Sequence, residues 1–211
     1  MNLEKNNICF DLSLVEKFTS SNLFDKIHLL ELKTINNMTV GMSWVKNKEI
    51  DAVLVGGTAV VSYLQKGRDL TPDIDYLVSN MNDVKRKLSS ENITYSDLVA
   101  PNGRYLGITV PIFNMDFLDV SSAHSGNIEL NKLILSTRKK SIIGGNSIDI
   151  VSPELLAILK LDLGRTKDIN DGFALLMSGN VDRDVYISYA KKLKNTLNDY
   201  ESIIGYCDLI L

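Results

Sequence analysis

The sequence predicts a mixed α/β domain followed by an all-helical region. Short apolar runs punctuated by glycine and proline alternate with helically spaced segments before residue 152, and only helical spacing continues after it. The composition, 45% hydrophobic and 23% charged over 211 residues, is that of an ordinary globular protein. We therefore predict an N-terminal helical extension over 1–45, an α/β core over 46–151 and a C-terminal helical region over 152–211.

The predicted strands are short, apolar and bounded by turn residues. A buried strand over 51–55 ends at a glycine pair, and the segment IDYLV over 74–78 is the next strand. Residues 108–120 form one or two strands, because Pro111 marks an edge or a break. A hairpin-like glycine pair then precedes a final strand within 142–151.

The predicted helices share apolar residues spaced three and four positions apart. Trp44 is the expected core anchor of one helix, and Ser152-Pro153-Glu154 supplies a cap, a proline and an acid at the start of another. One helix opens at the glycine pair. The others cover two short stretches within 12–32, and then 38–48, 84–88, 153–163, 167–177 and 183–203.

Charge and cysteine content argue against several classes of protein. A net charge of −3 argues against a surface built wholly for nucleic acid, which leaves two basic triplets, 85–87 and 138–140, as local candidates. Cys9 and Cys207 lack the spacing of a zinc site or a disulfide framework and suit a reducing cytoplasm. No signal-peptide core or membrane span is predicted, so we expect a cytoplasmic protein without membrane contact.

Two aspartates, Asp73 and Asp75, stand where a strand is expected. Aspartate is depleted in strands, and the i, i+2 spacing points both carboxylates to one face. Like charges at that distance repel, and a divalent cation between them removes the conflict. Oxygen ligands favour magnesium, which also keeps waters and substrate phosphates in its shell. Alone the motif is weak evidence, because such pairs also occur by chance at exposed strand ends.

A glycine pair and a helix start lie shortly before the aspartates. Gly56 and Gly57 follow the buried strand, and Thr58 stands close to the start of the next helix. Backbone without side chains lets a bound group approach, and the helix start offers free N–H donors and a positive dipole end. The alternative is a tight turn without a ligand. Combined with the carboxylate pair, the turn indicates a nucleoside triphosphate (NTP) held by its phosphates over magnesium.

This order of features resembles the DNA polymerase β-like nucleotidyltransferase superfamily, in which a strand, a glycine pair and a helix precede Asp-x-Asp on the next strand. The resemblance implies a nucleotidyltransferase-like mixed sheet flanked by helices, with a third carboxylate between apolar residues on a later strand. Asp116 and Asp119 both fit that setting, and alternation places them on opposite faces. Asp116 is the preferred candidate, because its spacing to the following strand is closer to what that superfamily shows.

The second half of the chain resembles the AbiEii-type toxin nucleotidyltransferases and their uncharacterised relatives. That pattern is a helix with a late lysine, then Arg-x-Lys-Asp-x-x-Asp at the start of the next helix, and an arginine shortly before Asp-x-Asp. The resemblance covers roughly residues 50–178. The matching residues are Arg68, Lys160, Arg165, Lys167, Asp168 and Asp171.

The resemblance implies a role for each candidate, and each also has a plainer alternative. Two magnesium ions are expected, with Asp73, Asp75 and Asp116 as their ligands. The expected phosphate ligands are Gly56, Gly57, Thr58, Arg68 and Lys160. Lys160 and Asp168 are also catalytic candidates. The alternatives are a surface lysine for Lys160, a helix-start acid for Asp168, a surface pair for Lys167 and Asp171, a turn residue for Arg68 and a helix cap for Thr58.

The predicted function is magnesium-dependent transfer of a nucleoside monophosphate from an NTP to an acceptor hydroxyl. The resemblance implies RNA, including tRNA, as the acceptor, and a toxin that has a cognate antitoxin as its partner. Two alternatives stay open: a nucleotidyltransferase for small molecules such as antibiotics, and a non-catalytic nucleotide- or partner-binding module that keeps the fold. The position of the third carboxylate separates the enzyme from the module. His28 and His124 lack metal spacing and are predicted to be structural or exposed.

Overall fold

The computed structural model describes residues 32–64, 71, 73–143 and 145–211. The helices predicted before residue 32 and the candidate Arg68 lie outside the described residues. The predicted fold class is confirmed, since a mixed β-sheet is flanked by helices and followed by a helical region. Among the described residues, no helix combines the length and the apolar character needed to cross a membrane.

Seven strands form one mixed sheet at the centre of the described molecule. The strands are β1 (Ala52–Val55), β2 (Ile74–Val78), β3 (Ser96–Val99), β4 (Tyr105–Val110), β5 (Met115–Asp119), β6 (Lys139–Ile143) and β7 (Asn146–Ile150). Their order across the sheet is β3-β4-β5-β2-β1-β7-β6. β2 runs parallel to β5 and β1 runs parallel to β7, whereas the other neighbours are antiparallel.

The described α-helices cover the faces of the sheet and continue beyond it. They are α1 (Leu32–Asn47), α2 (Gly56–Tyr63), α3 (Met81–Ser90), α4 (Ile128–Ser136), α5 (Pro153–Leu163), α6 (Thr166–Met177), α7 (Arg183–Lys192) and α8 (Tyr200–Ile210). Short 3-10 turns cover Pro111–Phe113 and His124–Gly126. The first of them confirms the break predicted at Pro111, which separates β4 from β5.

Trp44 is the core anchor that the sequence predicts. Its ring centroid lies 5.6 Å from that of Phe113 and 6.3 Å from that of Phe117, which is on β5. Its indole N–H donates to Glu91 at 2.7 Å. α1 therefore shares the core of the sheet, and it runs across the boundary predicted at residue 45.

The helix that joins the sheet to the helical region is α5, which is buried along nearly its whole length. It starts as predicted, with the Ser152 hydroxyl accepting from the Leu155 N–H at 3.4 Å and Pro153 at the first position. α2 packs on one side of α5 and α6 on another. Gly172 of α6 permits this close approach, because a methyl group there would lie 2.7 Å from Leu161. The approach brings polar side chains of α5 and α6 into contact.

One predicted helix needs correction, and two elements were not predicted. The single helix predicted over 183–203 is two helices, because Asn198 leaves the helical path to bond Asp162 of α5. Its backbone N–H donates to the carboxylate at 2.6 Å, and its side-chain amide donates to the Asp162 carbonyl at 3.0 Å. β3 and α4 were not predicted, and β3 is mostly exposed and lacks an apolar alternation.

Candidate active site

The glycine turn brings the backbone against a carboxylate. β1 ends at Val55, which pairs with Asp75 of β2, and α2 begins at Gly56. Gly56 has φ of +68°, and a methyl group at this position would lie 1.8 Å from the Asp75 carboxylate oxygen. Only glycine adopts this left-handed conformation readily and also leaves room for the Asp75 carboxylate. The turn therefore presents backbone and carboxylate side by side.

The parallel pairing of β2 and β5 places two carboxylates next to each other. Asp75 and Asp116 are direct partners in the register, so their side chains leave the same face of the sheet. Asp73 lies two residues before Asp75, at the exposed start of β2. Thr109 of β4 donates its hydroxyl to Asp116 at 2.7 Å and orients that carboxylate. The three acids that the sequence singles out are thus brought together.

The electrostatics of this cluster favour a bound cation. Burial, and then the charges of Asp73 and Asp116, raise the pKa of Asp75 to about 7, against the opposing effect of Lys160 and Lys167. Burial also raises the pKa of Asp116, the Thr109 hydrogen bond opposes that rise, and the charge of Asp73 adds to it. A cation would relieve both the desolvation and the repulsion of these carboxylates.

Asp119, the other candidate for the third carboxylate, has a different environment. It pairs with Val78 at the far end of β5, three residues beyond Asp116. Its carboxylate accepts from the backbone N–H of Ser121 at 2.8 Å and from the Ser121 hydroxyl at 2.6 Å. The side chain therefore stabilises the turn after β5 and does not face Asp75.

Thr58 contacts the carboxylate cluster in a way that the sequence did not predict. Its side chain is buried, and its hydroxyl donates to the backbone carbonyl of Asp73 at 3.0 Å. The residue before α2 is Val55, so Thr58 is not the cap of this helix. The hydroxyl fixes the start of β2, in place of the predicted contact with phosphate.

Asp73 and Asp75 face a cleft of about 530 Å³ between the sheet and the helical region, whereas Asp116 is not among the residues that line it. Gly56, Gly57, Asp73 and Asp75 line it on the side of the sheet. The cations lining it are Arg104, Lys160, Arg165 and Lys167. The apolar residues lining it are Val55, Val99, Ala100, Pro101, Leu106, Leu118, Leu159 and Leu163.

Lys160 is buried and held by two acids of the next helix. Its ammonium lies 2.8 Å from the carboxylate of Asp168 and 3.1 Å from that of Asp171. Arg165, at the exposed start of α6, also pairs with Asp168. Burial alone would raise the pKa of Asp168, but the hydrogen bonds from Arg165 and Lys160 outweigh it and hold the pKa below its usual value. The surface lysine considered for Lys160 and the surface pair considered for Lys167 and Asp171 are wrong, because Lys160 and Asp171 are buried. Asp168 is an acid of the first turn of α6, as its plainer alternative has it.

Two cleft residues were missed by the sequence analysis. Arg104 follows the β3–β4 turn and donates to the Ser122 carbonyl at 3.1 Å. His124 lies in the loop after β5 and bonds Asn131 of α4 at 2.6 Å. Neither residue belongs to a local motif, since each reaches the cleft only through the pairing of distant strands. Asn102 and Gly103, a dipeptide typical of turns, lie directly before Arg104.

The basic triplets lie away from the cleft. None of their six residues lines it, and each of them pairs with a carboxylate. Lys85 pairs with Asp97, Arg86 and Lys87 pair with Asp83, Arg138 pairs with Asp51 and Asp149, Lys139 pairs with Glu154, and Lys140 pairs with Asp149. The basic strip into the cleft that an RNA acceptor predicts is therefore not formed by these triplets.

The carboxylates do not by themselves complete a coordination shell. In the described part of the chain, no group of three or more His, Cys, Asp or Glu side chains is arranged to hold a metal ion. Magnesium commonly takes one or two carboxylates and completes its octahedron with water and substrate phosphates. The close pair Asp75 and Asp116, with Asp73 at the rim, fits that mode of binding and not an all-protein cage.

The comparisons with known proteins give a structural likeness. No protein-family model matches the sequence, and no curated protein matches it. Among solved structures, the chain is similar to an antigenic nucleotidyltransferase-like protein from Paracoccidioides brasiliensis, at 16% identity and a TM-score of 0.49. The match covers 85% of this chain and 96% of that chain.

Proposed function

We propose that this chain is a magnesium-dependent nucleotidyltransferase that moves a nucleoside monophosphate from an NTP to an acceptor hydroxyl. The observation that carries the proposal is the carboxylate pair Asp75 and Asp116, which stand in register beside the Gly56 turn where Asp75 lines the cleft. Lys160 and Lys167 line the same cleft. Carboxylates on one side and cations on the other suit a triphosphate that is bound with a divalent cation.

One group of residues at the site would bind the metal, and another would bind the phosphates of the NTP. Asp73, Asp75 and Asp116 would hold magnesium, which when bound neutralises phosphate charge and lowers the pKa of the acceptor hydroxyl. The backbone N–H groups at Gly56 and Gly57 offer donors to the outer phosphates. The side chain of Thr58 supports this arrangement through Asp73 and does not bind the phosphates.

The cationic side chains that line the cleft would stabilise the negative charge that develops on the leaving pyrophosphate during transfer. The acceptor oxygen bonds to the α-phosphorus while the bond to the bridging oxygen breaks, and pyrophosphate leaves. Lys160 faces the cleft and is held rigidly by Asp168 and Asp171, so it stabilises that leaving charge without having to be ordered first. Lys167 and Arg165 lie at the exposed side of the same cleft, where they add positive charge.

The acceptor that we propose is RNA, with tRNA first, as the resemblance implies. Because the basic triplets pair with acids away from the cleft, such an acceptor would rely on Arg104, Arg165 and Lys167 for its phosphate contacts. A toxin role, with a cognate antitoxin as partner, is part of the same proposal. It predicts that expression of the wild-type chain arrests growth, whereas expression of Asp116→Asn does not.

The test is transfer of α-³²P-labelled nucleotides, each of the four NTPs in turn, into total RNA and total protein with and without magnesium. Asp116→Asn should lower transfer by at least about 10²-fold, because it removes a carboxylate from the reacting centre. The matched control is Asp119→Asn, on the same strand but bonded to Ser121, and it should keep near-wild-type activity. Equal loss in both variants would contradict the assignment.

The competing explanation is a non-catalytic nucleotide-binding module. The in-register pair Asp75 and Asp116 favours the enzyme, because a module has no need of a third carboxylate beside the first two. Magnesium-dependent NTP binding without transfer to RNA or protein would favour the module, or an acceptor that is a small molecule. Absence of both binding and transfer would overturn the proposal.

A further inference from the structure

One histidine in the wall of the cleft has no part in the proposed mechanism. His124 begins the 3-10 turn after β5 and lines the cleft together with Lys160 and Arg104. Its φ of +48° lies in the left-handed region, which non-glycine residues seldom adopt. The loop thus holds the ring in the cleft through a backbone conformation that needs support from its surroundings.

The hydrogen bonds of Asn131 determine which ring nitrogen carries the proton. Asn131 is fully buried, and its amide nitrogen donates to the carbonyls of Val120 at 2.9 Å and Ala123 at 3.2 Å. Because carbonyls only accept, the amide orientation is fixed, and the Asn131 oxygen faces His124 Nδ1 at 2.6 Å. That oxygen is an acceptor, so Nδ1 carries the hydrogen. Nε2 is then a bare acceptor.

The ring is neutral at physiological pH. Burial lowers the pKa of His124 to about 4, although the hydrogen bond with Asn131 acts to raise that pKa. The charge of Lys160 lowers the pKa further, and the charge of Asp168 raises it. A neutral ring with hydrogen on Nδ1 offers only a lone pair at Nε2. Within the described residues, Asn131 is the one hydrogen-bond partner of this side chain, so Nε2 has none.

Phosphate is the wrong partner for this nitrogen, because its oxygens at neutral pH are themselves acceptors. The 3-10 turn that begins at His124 packs against α5, the helix that carries Leu159, Lys160 and Leu163. The same cleft is lined by the apolar side chains of Leu106, Leu118, Leu159 and Leu163, which suit the flat, weakly charged body of a nucleoside.

We propose that His124 is a specificity-determining residue whose Nε2 accepts a hydrogen bond from an N–H or O–H group of the bound nucleoside. The donor is a ribose hydroxyl or a donor on the base. The inference rests on the proposed function, because it requires a nucleotide in the cleft. A site built to accept from such a donor discriminates strongly against an analogue that lacks it.

The tautomer is measured first, without nucleotide. The chain has only two histidines, so a side-chain ¹⁵N spectrum at pH 7.5 contains two ring systems, and a His28→Gln variant assigns them. For His124 we expect Nδ1 at the shift of a protonated nitrogen and Nε2 at that of a bare one. The opposite assignment, or averaged shifts for both nitrogens, overturns the proposal.

The ligand is tested with the tightest-binding NTP, its 2′-deoxy and 3′-deoxy forms, a form lacking the donor on the base, and tripolyphosphate. Wild type should bind one of these nucleoside analogues about tenfold more weakly than the parent NTP. His124→Phe keeps a ring but removes the acceptor, so it should bind the parent and that analogue equally. His124→Gln, which retains an acceptor, should restore part of the preference.

Each other outcome is decisive. Equal weakening of all ligands by His124→Phe, tripolyphosphate included, would mean that the ring contacts phosphate or is only structural, and overturns the inference. If His124→Phe keeps the wild-type preference for the parent NTP over that analogue, the inference is also overturned. Thermal denaturation of each variant shows whether it is folded. If no NTP binds to the wild type, the proposed function itself fails, whereas nucleotide binding without a His124-dependent preference removes this inference alone.

Discussion

Gly56 is the residue at which the backbone and the chemistry of the site impose the same requirement. Its φ of +68° is left-handed, and the Asp75 carboxylate occupies the space that a side chain would need. Gly164, at the end of α5, has nearly the same φ, +67°, with no atom within 4 Å of an added methyl group. The two positions therefore differ in their surroundings and not in their backbone.

We predict that Gly56→Ala and Gly164→Ala separate these two costs. Gly164→Ala should lower the free energy of unfolding by about 1 kcal/mol, the cost of a left-handed alanine. Gly56→Ala should lower it by about 1–3 kcal/mol more, because the methyl group displaces Asp75. Denaturant unfolding measures both. Equal losses in the two variants would show that Asp75 does not press on Gly56.

Residue types and spacing predicted the carboxylate cluster, but not every residue around it. Asp73 and Asp75 follow from strand alternation and a glycine turn, which are local patterns, whereas Asp116 was preferred over Asp119 on the family resemblance. Only the register between β2 and β5 shows that Asp116, and not Asp119, is the direct partner of Asp75. The hydroxyl hydrogen of Thr58, for which a contact with phosphate was predicted, is donated to the Asp73 carbonyl instead.

The contact between α5 and α6 holds Lys160, one of the cationic residues that line the cleft. Lys160 has two acids within reach, Asp168 and Asp171, and all three side chains are buried. Burial of a lone charge costs several kcal/mol, whereas a paired and hydrogen-bonded charge is tolerated. Lys160 thus has a structural role as well as its proposed role toward phosphate.

We predict that mutations distinguish the two roles of Lys160. Lys160→Met should destabilise the chain by about 3 kcal/mol, because it removes a buried cation from the carboxylates of Asp168 and Asp171. It should also abolish transfer, because the charge on the leaving pyrophosphate is no longer stabilised. The double variant Lys160→Met/Asp168→Asn should regain part of that stability and none of the activity. Urea unfolding and nucleotide transfer are measured on the same samples. Recovery of activity in the double variant would contradict a direct role for Lys160.

The bounds of helices and strands were predicted most accurately where a single local sequence pattern was strong. β2, α5 and the break at Pro111 were placed within a residue or two, since alternation, a cap and a proline each act locally. The break between α7 and α8 was not predicted, because it depends on Asn198 bonding Asp162 of α5. β3 was missed because its exposed residues carry no apolar alternation. Arg104 and His124 were missed because their loops reach the cleft only in the assembled sheet.

The cleft joins the two halves of the described molecule, so its ligand should stabilise both together. Asp73, Asp75 and the glycine turn come from the sheet, whereas Lys160, Arg165 and Lys167 come from the helical region. Without a cation, Asp75 destabilises the folded chain at high pH. Its pKa of about 7 exceeds the unfolded value of 3.8, so the folded state binds the extra proton and stability falls as pH rises from about 4 to about 7.

We therefore predict that Mg·NTP raises the melting temperature, whereas the NTP with a chelator does not. At a hundredfold excess over Kd the gain is about 2.7 kcal/mol, which for a chain of this size corresponds to about 5–10 °C. Asp75→Asn should melt higher than wild type without ligand at pH 8, because it removes the buried charge. It should also lose the magnesium-dependent increment. A variant that melts lower, or that keeps the full increment, would show that Asp75 neither carries the repulsion nor binds the metal.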